Sequence, residues 1–386
     1  MTTPWPNDEG LRAALDASPP GAAALAALRA DWLAGRLGDA HNRVSGRVEP
    51  PDPAELDDAA TVAASPEAVA EGAGALARGE VGLVILNGGM ATRFGGVVKG
   101  VVEVDDRRSF LGLKLLDALR TARACGAAPP IVVLMNSRAT GDATAAHLRD
   151  NAFFGYPEDR IWSFEQQWTA RLDERGDVFL EDDGQPSFYG PGHGDLGPCL
   201  RSSGLLERFV AAGGRTLLMS NVDNAVATLD VGLLGYHRRS GARITVELVD
   251  KWAGDAGGAP ARVDGRLQIV EGFRFPRDFD QSRIPVFNTN TLWFETAALA
   301  AEHALTWFVV RKEVEGRPVV QFERLVGELT AFEPTRWLRV PRDGLETRFV
   351  PIKSPADLAA TRASLLDAWT RRGHAPDLVS RDAPQA

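Results

Sequence analysis

The residues best suited to chemistry stand directly after short apolar runs. Leu86-Asn87-Gly88-Gly89-Met90-Ala91-Thr92-Arg93-Phe94-Gly95-Gly96, with Lys99 just beyond, follows the run Val81 to Leu86. Glycines let a backbone approach a ligand and aim its N–H groups at phosphate oxygens. Arg93 and Lys99 add positive charge. The loop has neither the Gly-Lys-Ser/Thr ending of a Walker loop nor the Gly-x-Gly-x-x-Gly of a dinucleotide fold, so neither an NTPase nor a dehydrogenase is favoured. Taken alone, it also fits a strand-to-helix turn that binds nothing. A second segment, Ser220-Asn221-Val222-Asp223-Asn224, sets a carboxylate past the end of another apolar run. Such an acid either holds Mg²⁺ beside a triphosphate or caps the next turn. A third, Pro191-Gly192-His193-Gly194-Asp195, carries a histidine between two glycines, free to adopt an unusual backbone and reach a ligand. The other five histidines show no metal-ligand spacing.

The elements that must position these groups alternate along the chain. Val81 to Leu86, Ile131 to Met135, Arg160 to Phe164, Arg215 to Met219, Arg243 to Val249 and Val286 to Phe294 read as strands. Phe110 to Ala124, Ala139 to Arg149 and Gly204 to Ala212 read as helices. The order implies βαβ units and a largely parallel sheet with helices on both faces. In such a sheet ligands bind at the carboxyl ends of the strands, which is where the loops above fall. Asp264-Gly265 between two β-rich runs marks a hairpin. Val320 to Leu329 reads as a helix, Arg348 to Ile352 as a last strand, and Pro355 to Trp369 as a closing helix begun by proline. Before residue 78 the chain reads as helical where proline is absent, broken at Pro19 and Pro20, with a linker or turn at Glu49 to Asp58. The expected organisation is a helical N-terminal segment at 1–77, one catalytic α/β unit at 78–370 and a tail at 371–386. The helical segment either packs on the core or mediates an interface.

Composition excludes several classes. The chain has 386 residues, with 43 Lys and Arg against 52 Asp and Glu, a net charge of -9. That sign argues against a sequence-independent nucleic-acid binder, which needs a basic face. It allows a local anion pocket, because a few cations can converge inside an acidic protein. No apolar run reaches the ~18 residues of a membrane span. The N-terminus lacks the basic start and apolar stretch of a signal peptide. With two cysteines, Cys125 and Cys199, neither a disulfide framework nor a cysteine-rich zinc site is expected. A soluble cytoplasmic protein, with no nucleic-acid or membrane partner, is the expectation.

These segments together resemble a known family. Leu-Asn-Gly-Gly-Met-Ala-Thr-Arg (86–93), Met-Asn-Ser (135–137), Phe-Glu-Gln (164–166), Pro-Gly-His-Gly-Asp (191–195), Ser-Asn-Val-Asp-Asn (220–224), Phe-Asn-Thr-Asn (287–290), Val-Val-Gln-Phe-Glu (319–323) and Arg-Phe-Val-Pro-Ile-Lys (348–353) occur in the order found in UTP–glucose-1-phosphate uridylyltransferases. The resemblance runs from about 80 to 355. It implies a nucleotide-diphospho-sugar transferase fold, Rossmann-like, with a mixed and mainly parallel sheet flanked by helices. It also implies Mg²⁺-assisted transfer of UMP from UTP to a sugar 1-phosphate.

By that resemblance Leu86, Asn87, Gly88, Gly89 and Arg93 belong to the loop that cradles the triphosphate, and Lys99 pairs with its phosphates. Met135, Gln166 and Gly192 border the uracil. His193 and Asn221 contact the sugar phosphate, Asp223 ligates Mg²⁺, and Gly258, Glu271, Asn288 and Asn290 bind sugar hydroxyls. Lys353 bridges the two phosphate groups. The chain departs from the family at Val98, where proline is usual, at Ala91, where glycine is usual, and across Trp252 to Gly258. Ending at Ala386, it is expected to lack the C-terminal β-helix of long members. A glycosyltransferase on a similar sheet is the alternative enzyme, and a nucleotide-sugar sensor without catalysis the non-enzymatic one.

Overall fold

A computed structural model describes residues 5–91, 94–105, 107–255 and 257–371. Arg93, and the tail beyond its first residue, lie outside the described residues. Eight strands form the central sheet: β1 (Leu56–Asp58), β2 (Val81–Leu86), β3 (Ile131–Asn136), β4 (Ile161–Glu165), β5 (Thr216–Asn221), β6 (Ile244–Asp250), β7 (Val286–Glu295) and β8 (Thr335–Arg339). Their order across the sheet is β1-β8-β6-β7-β5-β2-β3-β4. Every neighbouring pair is parallel except those made by β7, which runs antiparallel to both β5 and β6. The sheet is therefore mixed and mainly parallel.

The strand sequences explain why it is buried on both sides. Val81, Leu83 and Ile85 of β2 join one apolar cluster and Val84 joins another on the opposite face. Residues alternate faces along a strand, so a continuous apolar run satisfies two layers of cover. Helices α1 (Glu9–Asp16), α2 (Gly21–Leu33), α3 (Pro66–Ala77), α4 (Phe110–Ala124), α5 (Gly141–Asp150), α6 (Val231–Ser240) and α7 (Pro355–Arg371) are the longer ones. Ser109 caps α4, its Oγ accepting from the Gly112 amide at 3.1 Å. Every residue of that helix from Phe110 to Leu119 is buried, Lys114 and Asp117 among them, so its cover is wider than the leucine stripe alone suggests.

Helix α3 lies against α6 with almost nothing between the backbones. A Cβ on Gly72 would overlap the Val231 carbonyl, and one on Gly235 would overlap the Ala68 carbonyl. Gly72 of α3 and Gly235 of α6, which weaken a helix by propensity, are what lets this pair close. Helices α1 and α2 place Leu15, Ala22, Leu25 and Leu28 in a third cluster with Leu172, Val309, Val320 and Phe322, so the N-terminal helices pack on the protein's own hairpin.

Three sequence expectations need correction. Val320 to Leu329 is not a helix: Arg317–Glu323 pairs antiparallel with Phe308–Val314, and only Val326–Ala331 winds into a short 3₁₀ turn. Glu315 and Gly316 supply two positive φ values, 50° and 71°, that make the tight turn. Arg348 to Ile352 is extended but forms no ladder, meeting Asn224 through one isolated bridge at Pro351. The last sheet strand is instead Thr335–Arg339, hidden in the sequence by flanking prolines and arginines. The Glu49 to Asp58 stretch is more than a linker, since Leu56–Asp58 forms a sheet edge and Val48–Glu49 pairs with Val263 and Arg262. The Asp264-Gly265 hairpin forms as expected, joining Ala259–Val263 to Arg266–Val270. No helix among the described residues is long and apolar enough to cross a membrane.

Candidate active site

The ends of β2, β3, β4 and β5 stand side by side, Asn221 opposite Leu86, Leu86 opposite Met135, and Met135 opposite Phe164. The glycine loop leaves this row at Asn87, which is fully buried. Its amide N–H donates to the Met135 carbonyl at 2.9 Å, and its Nδ2 donates to Asn136 Oδ1 and Thr144 Oγ1, each at 2.8 Å. The start of the loop is thereby fixed to β3 and α5. Met135 keeps its own side chain in the core beside Val84 and Phe164, so what it offers toward the loop is backbone.

Gln166 continues from β4, its N–H donating to the Asn136 carbonyl at 2.7 Å. Its amide lies between two glycines. A Cβ on Gly88 would stand 2.8 Å from Gln166 Oε1, and one on Gly190 would overlap Gln166 Nε2. The glycine loop and the Pro191–Asp195 loop thus close on Gln166 from opposite sides. Gly192 has φ of 94°, a conformation other residues rarely adopt. His193, half-buried, accepts at Nδ1 from the Val326 amide at 3.0 Å. Burial lowers its pKa to about 4. The ring is therefore neutral at neutral pH, with its proton on Nε2.

Lys99 Nζ donates to Asp223 Oδ2 at 2.7 Å, joining the far end of the glycine loop to the loop after β5. Beneath it, the buried Lys114 donates to Ser220 Oγ at 2.9 Å and to the Ala227 carbonyl at 2.8 Å, bracketing the segment that carries Asn221 and Asp223. Burial is the main cause that lowers the Lys114 pKa to about 7. Asn221 Oδ1 accepts from Asn290 Nδ2 at 2.9 Å, and the Asn290 amide donates to Asn288 Oδ1 at 2.9 Å. The Asn288 amide in turn donates to the Gly258 carbonyl at 2.8 Å. Glu271 lies against Gly258, where a Cβ would stand 2.8 Å from its Oε1, and burial raises its pKa. Lys353 is brought in by its neighbour: the Ile352 amide reaches the Asp223 carbonyl at 3.4 Å, and the Lys353 amide donates to Asp357 Oδ2 at 2.9 Å.

Among the described residues these contacts join Leu86, Asn87, Gly88, Met135 and Gln166 at the sheet end, Gly89 and Lys99 to Asp223, and Asn221 to Gly258 through Asn290 and Asn288, while Lys353 is tied in by backbone alone with its side chain exposed. Sequence reasoning missed Thr144, which accepts from Asn87, Lys114, which brackets the Ser220 to Ala227 segment, and Arg324, whose guanidinium donates to Gln167 and Asp195. Lys114 had a signal, being a charge inside the apolar face of α4. Thr144 and Arg324 carry none in their local sequence. No group of three His, Cys, Asp or Glu side chains suited to a metal occurs among the described residues. A divalent ion here would have Asp223 as its protein carboxylate and take its other ligands from phosphate and water, the arrangement Mg²⁺ commonly adopts.

A profile of the UTP–glucose-1-phosphate uridylyltransferase family matches residues 37–374. The chain belongs to this family. Among curated uridylyltransferases, the probable UTP–glucose-1-phosphate uridylyltransferase of Schizosaccharomyces pombe is 28% identical over 320 residues, covering 76% of this chain and 61% of the relative. That of Saccharomyces cerevisiae is 29% identical over 339 residues, covering 83% and 65%. The chain thus spans less than two thirds of the length of these relatives. Among solved structures, the UDP-glucose phosphorylase of Trypanosoma brucei superposes with a TM-score of 0.75 at 23% identity, covering 92% of this chain and 77% of that one. The uridine diphosphate N-acetylglucosamine pyrophosphorylase of the same organism gives 0.75 at 18%, covering 98% and 85%. These likenesses establish the uridylyltransferase fold.

Proposed function

We propose that the protein transfers UMP from UTP to a sugar 1-phosphate, with glucose 1-phosphate the first acceptor to test, giving a UDP-sugar and pyrophosphate. The observation that carries this reading is the Lys99–Asp223 contact, which sets a cation and a metal-competent carboxylate between the glycine loop and the tip of β5. Family membership supports it, as does the continuous hydrogen-bonded path from Asn221 to Glu271's neighbour Gly258 on the sugar side.

The chemistry fits the residues present. A sugar phosphate, with a second pKa near ~6, is mostly dianionic at neutral pH. Its oxygen attacks the α-phosphorus of UTP without a general base; the bond from that phosphorus to the β-phosphate oxygen breaks, and pyrophosphate leaves. What the protein must supply is alignment and charge neutralisation. Lys99, paired with Asp223, supplies positive charge at the glycine loop, and Lys353 and Arg93 belong to the same proposal. Neutral His193 donates through Nε2–H to the sugar phosphate rather than accepting a proton. Leu86, Asn87, Gly88 and Gly89 hold the triphosphate, and Met135, Gln166 and Gly192 enclose the base. Asn221, Gly258, Glu271, Asn288 and Asn290 hold the sugar phosphate and its hydroxyls. Mg²⁺ at Asp223 would neutralise the α-phosphate and the incoming oxygen.

The test mixes the protein with UTP, Mg²⁺ and a panel of sugar 1-phosphates and measures pyrophosphate. Release with at least one sugar is expected; silence across the panel would reject the enzymatic reading. Release of UDP from a supplied UDP-sugar, with no pyrophosphate chemistry, would point to a glycosyltransferase.

A further inference from the structure

We propose that Arg324 is a positioning residue, seating the Pro191–Asp195 loop so that His193 presents its Nε2–H to the phosphate of the sugar substrate. The inference rests on the uridylyltransferase reading for the identity of that substrate, and on geometry for the rest. Arg324 follows directly from the hairpin strand Arg317–Glu323 and holds the loop by backbone in both directions. Its N–H donates to the Pro191 carbonyl at 2.8 Å, and its own carbonyl accepts from the Gly194 amide at 2.9 Å. The approach is as close as glycine allows, since a Cβ on Gly194 would stand 2.6 Å from the Arg324 carbonyl carbon and one on Gly192 would overlap the Arg324 oxygen.

The side chain adds a second set of ties. Arg324 Nη2 donates to Asp195 Oδ1 and, at 2.8 Å, to Gln167 Oε1, while the guanidinium lies 4.3 Å from the centre of the Trp307 ring. Asp195 is fully buried, and its carboxyl is pushed up to about 6 by burial while Arg324 pulls the other way. Gln167 adjoins Gln166, so the same guanidinium spans from the loop bearing His193 to the strand end facing the base. Two residues beyond Arg324, Val326 sends its amide to His193 Nδ1. A ring nitrogen that accepts from a backbone amide cannot also carry the proton, so Nε2 must. Arg324 touches no substrate in this scheme. It fixes the loop, and the loop fixes the ring. Lysine could keep the charge and donors for two acceptors but has no planar guanidinium to lie over the indole.

The experiment compares the full chain with Arg324→Gln, Arg324→Lys, His193→Ala and the double variant Arg324→Gln/His193→Ala. Thermal midpoints, kcat, KM for UTP and for the sugar 1-phosphate, and the ring ¹⁵N shifts of His193 are measured. Misplacing a reacting group by about an ångström costs up to roughly 100-fold, so Arg324→Gln is expected to lose about 10- to 100-fold in kcat/KM for the sugar phosphate. KM for UTP should change far less, and Arg324→Lys should recover part of the loss. On the His193→Ala background Arg324→Gln should cost almost nothing more, because contacts that act through one another are not additive. Additive losses, or unchanged kcat/KM in Arg324→Gln, would overturn the proposal. In the ring spectra the parent chain should show protonated Nε2 and bare Nδ1 at neutral pH, and Arg324→Gln a mixture of tautomers. If no sugar supports turnover, the activity reading falls while the spectra still decide the positioning claim: an unchanged tautomer in Arg324→Gln rejects it. If Arg324→Gln does not fold, Arg324→Lys and Asp195→Asn carry the same comparisons.

Discussion

Lys99 meets Asp223 before any ligand arrives, so the carboxylate that could hold a metal is already neutralised by the cation that would bind phosphate. Substituting either lysine of the site removes charge that matters most as negative charge accumulates on the phosphates. Lys99→Ala and Lys353→Ala are each expected to lower kcat by about 10²-fold or more, the scale seen when one positioned electrostatic group is lost, with the thermal midpoint little changed. Near-normal turnover in either would remove that residue from the phosphate site. His193 makes a second prediction, of opposite kind. Its folded pKa of about 4 lies below the ordinary 6.5. Between those values the unfolded chain binds a proton that the folded one does not, so stability falls as pH drops through that window and is level above it. Asp195, raised from 3.8 to about 6, works the other way, favouring the folded state as pH falls through its own range. His193→Gln should therefore show a shallower loss of thermal midpoint between pH 6.5 and 4 than the parent chain. An unchanged slope would mean the ring is not held neutral.

At the scale of elements, α3 and α6 are joined at their backbones, and the consequence is measurable. Gly72→Ala and Gly235→Ala each force a methyl into a carbonyl and should destabilise by roughly 1–3 kcal/mol in denaturant titration. Gly141, at the start of α5, faces open space. Gly141→Ala should be neutral or stabilising by up to about 1 kcal/mol, and equal effects at all three positions would reject the packing argument. The same elements show what was legible beforehand. Strands β2, β3 and β5 announce themselves because a strand buried on two faces is a nearly continuous apolar run bounded by polar turns, while β4, at the sheet edge, alternates buried and exposed residues. The Phe308–Val314 and Arg317–Glu323 hairpin does not, because only its inner residues, Val320 and Phe322 among them, reach a core, and that core is completed by α1 and α2 from the other end of the chain. Site residues at strand tips were legible for the same reason the strands were. Thr144 and Arg324 were not, because their partners lie far away in sequence and only the fold supplies them.

Across the whole molecule the charge totals -9, and one of the pairs that anchor the site, Arg348 with Glu247, is buried. Arg348 donates to both oxygens of Glu247, at 2.6 and 2.8 Å, and Trp293 Nε1 donates to the same carboxylate at 2.9 Å. Its carbonyl also accepts from Asn224 Nδ2 at 3.0 Å. This is how a segment outside the sheet, carrying Lys353, is anchored to β6 and to the loop that bears Asp223. Arg348→Met leaves Glu247 buried without its partner and should cost about 3–5 kcal/mol, read as a fall in the denaturant midpoint. Retained stability would show the pair to be dispensable.

The sheet edge has a consequence for how the molecule comes into being. Among the described residues strand β1 pairs only with β8, setting Leu56 opposite Trp337. Strands β2, β3 and β4 are successive both in the chain and in the sheet, so they can assemble as synthesis proceeds, with only the helix-bearing connections 87–130 and 137–160 to close. Strand β1 emerges before them yet must wait for nearly the whole polypeptide before it has a neighbour. A lone strand in that interval is a template for wrong pairing. Its brevity and its two acids, Asp57 and Asp58, are the features that keep it from being one.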